Sequence, residues 1–303
     1  MSYNEFQIFL LSKYLKKNNM NISKITDPSY FEFILKNTIP NITMNVSDLM
    51  EFEKLKTNIN KYSFWNKEYI CLDIDICFEM NKAVDYIKNC SSIIISSGAG
   101  ISVSSNLPCY NNNITNLSLN DIIYLCKNAE PSSTYTKLYN LINDKPYFIF
   151  TSNIDSLFLK TGFDETLLCE CHGNYSFKQC INNCNSLIID NNENICIECG
   201  KELRENILRY GDKYFNDSRL KIQETHFKNF LDNNTNICII EIGCGITTPT
   251  VRDYDDILTE DRIDIKLIRV NPIHYYIDEK LRNKSCMINM TADVFLNTIE
   301  SLL

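Results

Sequence analysis

Polar side chains that could take part in catalysis follow a short apolar stretch in the middle of this chain. Residues 147–151 are mostly aromatic or β-branched, which predicts a buried strand. Ser152, Asn153 and Asp155 come directly after it, where an open α/β sheet keeps its ligand, beyond the carboxyl end of a strand. His172, one of three histidines, follows soon after, and an imidazole titrates near neutral pH and can serve as a general base. We therefore expect a reaction centre in this stretch.

Two closely spaced pairs of cysteines come next. Three residues separate Cys180 from Cys184, two separate Cys196 from Cys199, and eleven lie between the pairs. Four thiolates at this spacing can close a tetrahedral site around one structural zinc ion. The residues between the pairs are largely polar and could not form a core of their own, so the metal would hold this module together. The alternative is a set of unrelated thiols in a chain with 14 cysteines.

Composition limits the class of protein. The chain has 303 residues, of which 44% are hydrophobic and 22% charged, as in globular proteins with ample core. No run of about eighteen apolar residues indicates a membrane span, and a net charge of −8 argues against a broad electrostatic contact with nucleic acid. The N-terminus has no basic segment followed by an apolar one, so we expect a cytoplasmic protein with reduced thiols.

Apolar strands that end in small or polar residues are expected to position these groups. Such strands are predicted at residues 92–96, 147–151, 237–242 and 266–270. Helical apolar spacing is present at residues 80–89, 119–126, 135–142 and 291–299. Strands separated by helical spans predict an α/β fold built on a doubly wound, parallel, Rossmann-like sheet.

Two glycine-containing loops follow strands of this predicted sheet. Gly98, Ala99 and Gly100 come after the first strand, and Gly243 and Gly245 come after a later one. Glycines at such a place let the backbone approach a pyrophosphate, and the start of a following helix offers free amide donors. A tight structural turn is the alternative for each loop. Two such loops at strand ends favour a dinucleotide cofactor.

Five short motifs occur in order between residue 98 and residue 212. They are Gly-Ala-Gly-Ile-Ser at 98–102, Thr-Ser-Asn-Ile-Asp-Ser-Leu at 151–157, His-Gly at 172–173, the two cysteine pairs, and Leu-Arg-Glu-Asn-Ile-Leu-Arg-Tyr-Gly-Asp at 203–212. In this order they resemble the cofactor loop, the Thr-Gln-Asn-Ile-Asp-Ser-Leu motif, the catalytic His-Gly, the zinc ribbon and the acyl-lysine channel segment of the sirtuins. These are NAD-dependent protein deacylases and ADP-ribosyl transferases.

The resemblance implies an NAD site across the strand ends. The residues implied to bind the cofactor are Gly98, Ala99, Gly100, Ile101, Ser102, Ser152, Asn153, Asp155, Gly243, Gly245, Thr247 and Asn271. Asp155 would hold the nicotinamide carboxamide, and Asn153 with Ser102 would position the nicotinamide ribose. Asn271 would contact the adenosine ribose. His172 would act as the base on a ribose hydroxyl, so the implied catalytic residues are His172, Asn153 and Asp155.

The resemblance also implies an activity and leaves alternatives open. The first is an NAD-dependent protein lysine deacylase that cleaves the nicotinamide–ribose bond and transfers the acyl group to ADP-ribose, with an acylated protein as its partner. Residues 173–180 and 243–249, however, resemble the macrodomain-linked sirtuin branch, which tends towards protein mono-ADP-ribosylation and commonly has Gln in place of His172. A third reading is a weakly catalytic sensor of NAD or ADP-ribose.

One loop departs from the family pattern. The family usually has Asp-Phe-Arg after the proline of the cofactor loop, whereas this chain has Cys109, Tyr110 and Asn111 after Pro108. In the family these charged groups clamp the cofactor near its reactive end, so their loss predicts either slower turnover or a loop that works differently. Tyr110 could keep an aromatic lid.

The implied domain organisation is a catalytic domain behind an extension. The catalytic domain would cover residues 80–303, with Rossmann-like parts at 80–172 and 213–303 and the zinc-binding module at 173–212. Residues 1–79 contain short helical patterns but no chemistry. We expect a mainly helical extension there and assign it no role.

Overall fold

The computed structural model describes residues 76–109, 117–184, 188–189 and 193–303. The extension predicted over residues 1–79 lies outside these residues except for its last four, which begin the first described helix. Tyr110 and Asn111 of the altered cofactor loop also lie outside them. Ile76–Leu303 forms one compact unit, and the finer domain boundaries given above stay predictions.

The strands of the described residues form two sheets. In chain order they are β1 Ser92–Ser97, β2 Tyr147–Thr151, β3 Leu168–Glu170, β4 Gly173–Cys180, β5 Ile188–Ile189, β6 Leu203–Ile207, β7 Ile237–Ile242, β8 Ile265–Val270 and β9 Ser285–Ile288. The larger sheet has the order β3-β2-β1-β7-β8-β9, and every neighbouring pair is parallel. The parallel Rossmann-like sheet predicted from the four apolar strands is therefore confirmed.

The two edge strands of this sheet, β3 and β9, were not predicted. They contain three and four residues, which is too short for a period of two to stand out in the sequence. Each acquires its extended conformation by pairing with a longer strand, β3 with β2 and β9 with β8. Tertiary context therefore defines them.

Seven α-helices lie within the described residues. They are α1 Ile76–Asn89, α2 Leu119–Asn128, α3 Ser133–Ile142, α4 Leu157–Thr161, α5 Ser218–Asn233, α6 Thr250–Asp261 and α7 Ala292–Leu302. The four helices predicted from apolar spacing correspond to α1, α2, α3 and α7. We did not predict α4, α5 or α6. Of these, α5 buries Gln223 and Phe227 and so has a weak apolar stripe. None of these helices is long and apolar enough to cross a membrane.

Helices pack on both faces of the larger sheet. On one face, Ile93, Ile95 and Ile149 belong to an apolar cluster with side chains of α1, α3 and α7. On the other face, Phe148 and Phe150 stack on aromatic rings of α5 and α6. Because both faces are covered, the central strands are largely apolar instead of alternating. Each large apolar side chain buried in this way contributes about 1.5–3 kcal/mol.

The smaller sheet is inserted between β3 and α5. Its strand order is β5-β4-β6, and both pairs are antiparallel. Gly173 begins β4 with φ +77°, and a Cβ there would lie 2.0 Å from the carbonyl oxygen of Asn206 in β6. The residue after His172 must therefore be glycine for the smaller sheet to close against it.

Candidate active site

The carboxyl ends of parallel strands meet at one edge of the larger sheet, and the predicted cofactor residues lie in the loops that follow these ends. Backbone hydrogen bonds join the strand ends. The Ser152 amide donates to the carbonyl of Ser97 in β1, and the Gly98 amide donates to that of Ile242 in β7, both at 3.1 Å. The fold thus brings together residues that lie far apart in the sequence, at the place where such sheets bind ligands.

A hydrogen-bonded group of buried side chains lies at this edge. Ser102 Oγ donates to Asp155 Oδ2 at 2.6 Å and accepts from Asn153 Nδ2 at 3.0 Å. The hydroxyl of Tyr135 lies 3.0 Å from the same serine oxygen. All four side chains are buried. Three of them were predicted from the motifs, whereas Tyr135, on α3, was not.

The turn after β2 fixes the carboxylate of Asp155. Its Oδ1 atom accepts a hydrogen bond from the Leu157 amide at 3.0 Å, at the first residue of α4. Ser156, between the two, has φ +59° in the left-handed region, so the chain turns sharply there. Burial raises the pKa of Asp155, and the hydrogen bonds from Ser102 and Leu157 oppose this shift.

His172 lies in the turn between β3 and β4, beside the loop that follows β2. Its ring forms a hydrogen bond with the backbone of Ser152, and Nε2 lies 3.4 Å from Thr250 Oγ1 at the start of α6. The Leu208 amide donates to the carbonyl of His172 at 2.9 Å, which fixes its backbone. Burial lowers the pKa of His172, and the bond to Ser152 opposes this shift. A neutral imidazole held in this way can accept a proton.

The two glycine loops pack against each other. A Cβ at Gly98 would lie 2.9 Å from the Cα of Cys244, and a Cβ at Gly100 would lie 2.6 Å from the Cα of Gly243. The Gly100 amide donates to the Gly243 carbonyl at 3.1 Å. These three glycines are therefore required by the contact between loops, whereas a Cβ at Gly245 would meet no atom within 4 Å. Their contact with a cofactor stays a prediction.

The other predicted cofactor residues differ in their accessibility. Ile101 is fully buried and belongs to the core, whereas Ala99 is half-buried and Thr247 is exposed. The amide of Asn271 is used within the chain, because Nδ2 donates to the Cys244 carbonyl at 2.9 Å and Oδ1 accepts two backbone amides of the loop after β8. Asn271 therefore joins the loops that follow β7 and β8.

A cluster of buried charges lies beneath these two loops and was not predicted. Arg269 in β8 donates to Glu241 in β7 at 2.6–2.9 Å and to Asp256 in α6 at 2.9 Å. Arg252 donates to carbonyl oxygens in the loops after β7 and β8, at 3.2 and 2.8 Å. The available signal was a glutamate and an arginine in otherwise apolar strands, which the structure places directly opposite each other.

The four predicted metal ligands come together at the end of β4. The sulfur atoms of Cys180, Cys184, Cys196 and Cys199 all lie within 4.8 Å of one another. Four sulfurs bound to one zinc ion at about 2.3 Å would lie about 3.8 Å apart. The donor set and its spacing fit a closed structural zinc site. Every cysteine of the described residues is a free thiol, as expected for a reduced protein.

The predicted substrate segment at residues 203–212 lies next to His172. Its first half is β6, and an ion pair of 2.7 Å between Arg204 and Asp212 closes the remainder into a loop. Leu208 and Tyr210 in this loop are exposed. Because the Leu208 amide bonds the carbonyl of His172, the backbone of this loop lies directly beside that of His172.

Comparison with known proteins points to one family. The Sir2 family model matches residues 118–231. A probable bifunctional ADP-ribose hydrolase/ADP-ribosyltransferase from Fusarium oxysporum f. sp. cubense is 28% identical over 152 residues, covering 41% of this chain and 25% of that protein. A protein ADP-ribosyltransferase from Staphylococcus aureus is 22% identical over 183 residues, covering 53% of this chain and 58% of that protein. The NAD-dependent protein deacetylase Sirt6 of Drosophila melanogaster is 30% identical over 103 residues, 32% of each chain.

These curated relatives are matched in part, since the chain spans between 25% and 58% of their length. Solved structures agree in fold. A Sir2 enzyme aligns with a TM-score of 0.55 at 16% identity, covering 75% of this chain and 99% of that one. Sir2 with a p53 peptide and NAD+ aligns with a TM-score of 0.52 at 18% identity, covering 74% of this chain and 98% of that one.

Proposed function

We propose, on the premise that this chain belongs to the Sir2 family, that it is an NAD-dependent protein lysine deacylase. It would cleave the nicotinamide–ribose bond and transfer the acyl group of a protein lysine to ADP-ribose. The observation that carries this proposal is the half-buried imidazole of His172 at the strand-end edge, whose pKa is lowered by burial. An imidazole that is neutral at physiological pH is the base that such a transfer needs.

The loops at the strand ends offer donors that fit a dinucleotide. The Gly100 amide is used within the chain, whereas the Ala99 amide has no partner among the described residues. Gly245 borders open space. We place the pyrophosphate against these two loops beside Thr247, with Asn271 supporting the loop that would border the adenosine ribose. NAD, when bound, supplies a glycosidic bond whose cleavage leaves a ribose carbon that a nucleophile can capture.

His172 would remove a proton from a ribose hydroxyl. In the tautomer that carries its proton on Nδ1, the Nε2 atom keeps its lone pair, and it faces the Thr250 hydroxyl at 3.4 Å. We propose this tautomer for the base. Asp155 and Asn153 would orient the nicotinamide and its ribose.

The four cysteines would hold one structural zinc ion. A site closed by four thiolates has no position for a substrate, so the ion would stabilise the smaller sheet instead of taking part in catalysis. This sheet contains Gly173, the residue after His172, and its strand β6 ends one residue before Leu208, whose amide bonds the His172 carbonyl. Zinc would therefore support the base indirectly.

An acylated protein is the proposed partner. The loop whose backbone bonds that of His172 carries the exposed side chains of Leu208 and Tyr210, which offer apolar surface for the aliphatic part of a modified lysine. A related Sir2 structure contains a p53 peptide together with NAD+, which supports a protein substrate.

Protein mono-ADP-ribosyl transfer is the second candidate. Two of the relatives described above carry ADP-ribosyltransferase in their names, and one of them matches 53% of this chain. The substitution of Cys109, Tyr110 and Asn111 for the usual Asp-Phe-Arg also favours it, because a charged clamp is lost at the reactive end of the cofactor.

Labelled NAD and acyl-lysine peptides separate the two activities. Incubation of the full chain with both should release O-acyl-ADP-ribose and nicotinamide in equal amounts if the protein is a deacylase. Label that stays on protein, with no deacylated peptide, would instead support ADP-ribosyl transfer. His172→Ala should abolish peptide deacylation, and His226→Ala, which removes an exposed histidine of α5, is the matched control.

A further inference from the structure

Ser102 is the centre of the buried network, and its hydroxyl has three neighbours. They are Asp155 Oδ2 at 2.6 Å, Asn153 Nδ2 at 3.0 Å and the Tyr135 hydroxyl at 3.0 Å. A serine hydroxyl has one proton to donate and two lone pairs that accept. All three capacities of Ser102 are therefore used inside the protein, which leaves its oxygen with no free position for a ligand.

The direction of each bond follows from counting protons. With Asp155 ionised, the carboxylate can accept but not donate, so the Ser102 proton is directed to it. The amide of Asn153 donates, and the third bond then requires Tyr135 to donate as well. Burial and the nearby Asp155 carboxylate raise the pKa of Tyr135 well above its ordinary value, so the phenol keeps the proton that this bond needs.

The same count fixes the orientation of Asn153. Its Nδ2 atom donates a hydrogen bond to Ser102 Oγ at 3.0 Å. This bond places the NH2 group on the protein side, so the amide oxygen faces away from Ser102. If the amide were turned over, two acceptors would face each other at Ser102 and the network would fail.

The side chain of Tyr135 is held in place by its packing. Its side chain is 0% exposed, and its ring contacts Phe158 edge-on at 5.2 Å between centroids. A buried hydroxyl in such apolar surroundings costs free energy unless it is bonded, and the Tyr135 hydroxyl is bonded to Ser102 Oγ. A ring with no exposed surface cannot contact a bound cofactor.

We propose that Tyr135 is a positioning residue of the NAD site, which acts through Ser102 to hold the Asn153 amide in the orientation that presents its oxygen to the nicotinamide ribose. This inference rests on the proposed NAD-dependent function and goes beyond it. In this proposal Ser102 does not contact the ribose directly. Its hydroxyl connects Tyr135 to the side chains that face the ligand.

Tyr135→Phe tests the proposal, with Tyr139→Phe as the matched control. Tyr139 lies one turn further along α3 and also makes an edge-on aromatic contact, with Phe163. Loss of one buried hydrogen bond that orients a reacting group should lower kcat for nicotinamide release about 5- to 30-fold. KM for NAD should change much less, because the bond acts on orientation and not on uniform binding. The control should leave both constants within about 2-fold.

A double-mutant cycle decides whether Tyr135 acts through Ser102. Once Ser102→Ala has removed the shared partner, adding Tyr135→Phe should lower kcat no further, whereas independent effects would multiply. Multiplied effects, or a Tyr135→Phe enzyme with unchanged kcat, would overturn the proposal. Equal losses of thermal stability and of kcat in Tyr135→Phe and the Tyr139→Phe control would also overturn it, because they would indicate a general packing defect.

A spectroscopic readout keeps this test separate from the activity. In the NAD-free protein, the side-chain amide resonances of Asn153, assigned with Asn153→Asp, should shift in Tyr135→Phe and stay unchanged in Tyr139→Phe. If wild-type protein did not turn over NAD, the proposed function would fail while this shift still reported the hydrogen bonds. An Asn153 signal that does not respond to Tyr135→Phe would refute the network whatever the activity is.

Discussion

At the scale of single residues, the chemistry of the site depends on which side chains keep a lone pair or a proton after the internal hydrogen bonds are made. Ser102 and Asn271 were predicted as cofactor contacts, but their polar atoms are bonded within the protein. His172 and Asn153 keep capacity for a ligand. The resemblance to a family identifies the residues of a site, and the hydrogen-bond count distinguishes direct contacts from supports.

The pH dependence of activity should reflect the burial of His172. A general base works in its neutral form, and burial lowers the pKa of His172. As pH falls, the base therefore stays neutral through the ordinary histidine range near 6.5, and kcat/KM should decline only below it. Measurement of kcat/KM from about pH 5 to 8 checks this, and an acid limb with its midpoint above 6.5 would contradict it.

Asp155 is the other titratable group of this network, and its pKa is raised by burial. Substitution of His172 distinguishes the contributions of these two groups to the pH dependence of activity. His172→Ala should reduce turnover by about 10²- to 10⁴-fold, the range for loss of a general base, and should remove the acid limb from the residual activity. If activity of this variant still declined at acid pH, that decline would be assigned to the titration of Asp155.

At the scale of elements, the two glycine loops act as one unit because their backbones touch. Gly243→Ala should lower the free energy of unfolding by about 2–4 kcal/mol, since φ is +69° there and a Cβ would lie 2.5 Å from the Ile101 nitrogen. Urea denaturation measures this effect. Gly245→Ala is the matched control, because a Cβ there meets no atom within 4 Å, and equal losses in the two variants would contradict the packing argument.

The zinc ion should stabilise the smaller sheet. Cys196→Ser removes one of four converging ligands, so the variant should lose bound zinc and the structure of the smaller sheet. Elemental analysis and amide hydrogen exchange across β4 and β6 measure both effects. Cys77→Ser, at an exposed thiol outside the cluster, should change neither. Full zinc content in Cys196→Ser would refute the four-cysteine site.

At the scale of the whole molecule, the buried charges link the sheet to the loops of the proposed cofactor site. Arg269 is 0% exposed and bonds Glu241 from β7 and Asp256 from α6. Removing one partner leaves buried charges uncompensated, which costs far more than a surface pair would. The cluster therefore makes the order of the cofactor loops depend on the packing of α6 against the sheet.

Arg269→Met should lower the free energy of unfolding by about 3–5 kcal/mol, because Asp256 loses its ion pair with Arg269 and Glu241 keeps only the longer pair with Arg252 at 3.6 Å. Lys280→Met, at an exposed pair with Glu260, should stay within about 0.5 kcal/mol. Equilibrium denaturation of both variants at neutral pH gives the comparison. A small effect of Arg269→Met would show that the cluster is not essential for stability.

The sequence by itself determined the features that are local in the chain. Four apolar strands were recognised because both faces of the sheet are covered, which removes polar positions from them. The four cysteines were recognised because metal spacing is short and regular. The motif at residues 151–157 identified Asn153 and Asp155 because both lie in one turn after β2.

The tertiary structure alone decided the features that depend on pairing between distant segments. The edge strands β3 and β9 are extended because they pair with β2 and β8. The two glycine loops contact each other because β1 and β7 are adjacent in the sheet. Tyr135 reads in the sequence as one more apolar residue of a helix, and its hydroxyl meets Ser102 across the fold. Side-chain hydrogen bonds between separate elements leave no periodic trace in a sequence, because their geometry is set by how the elements pack.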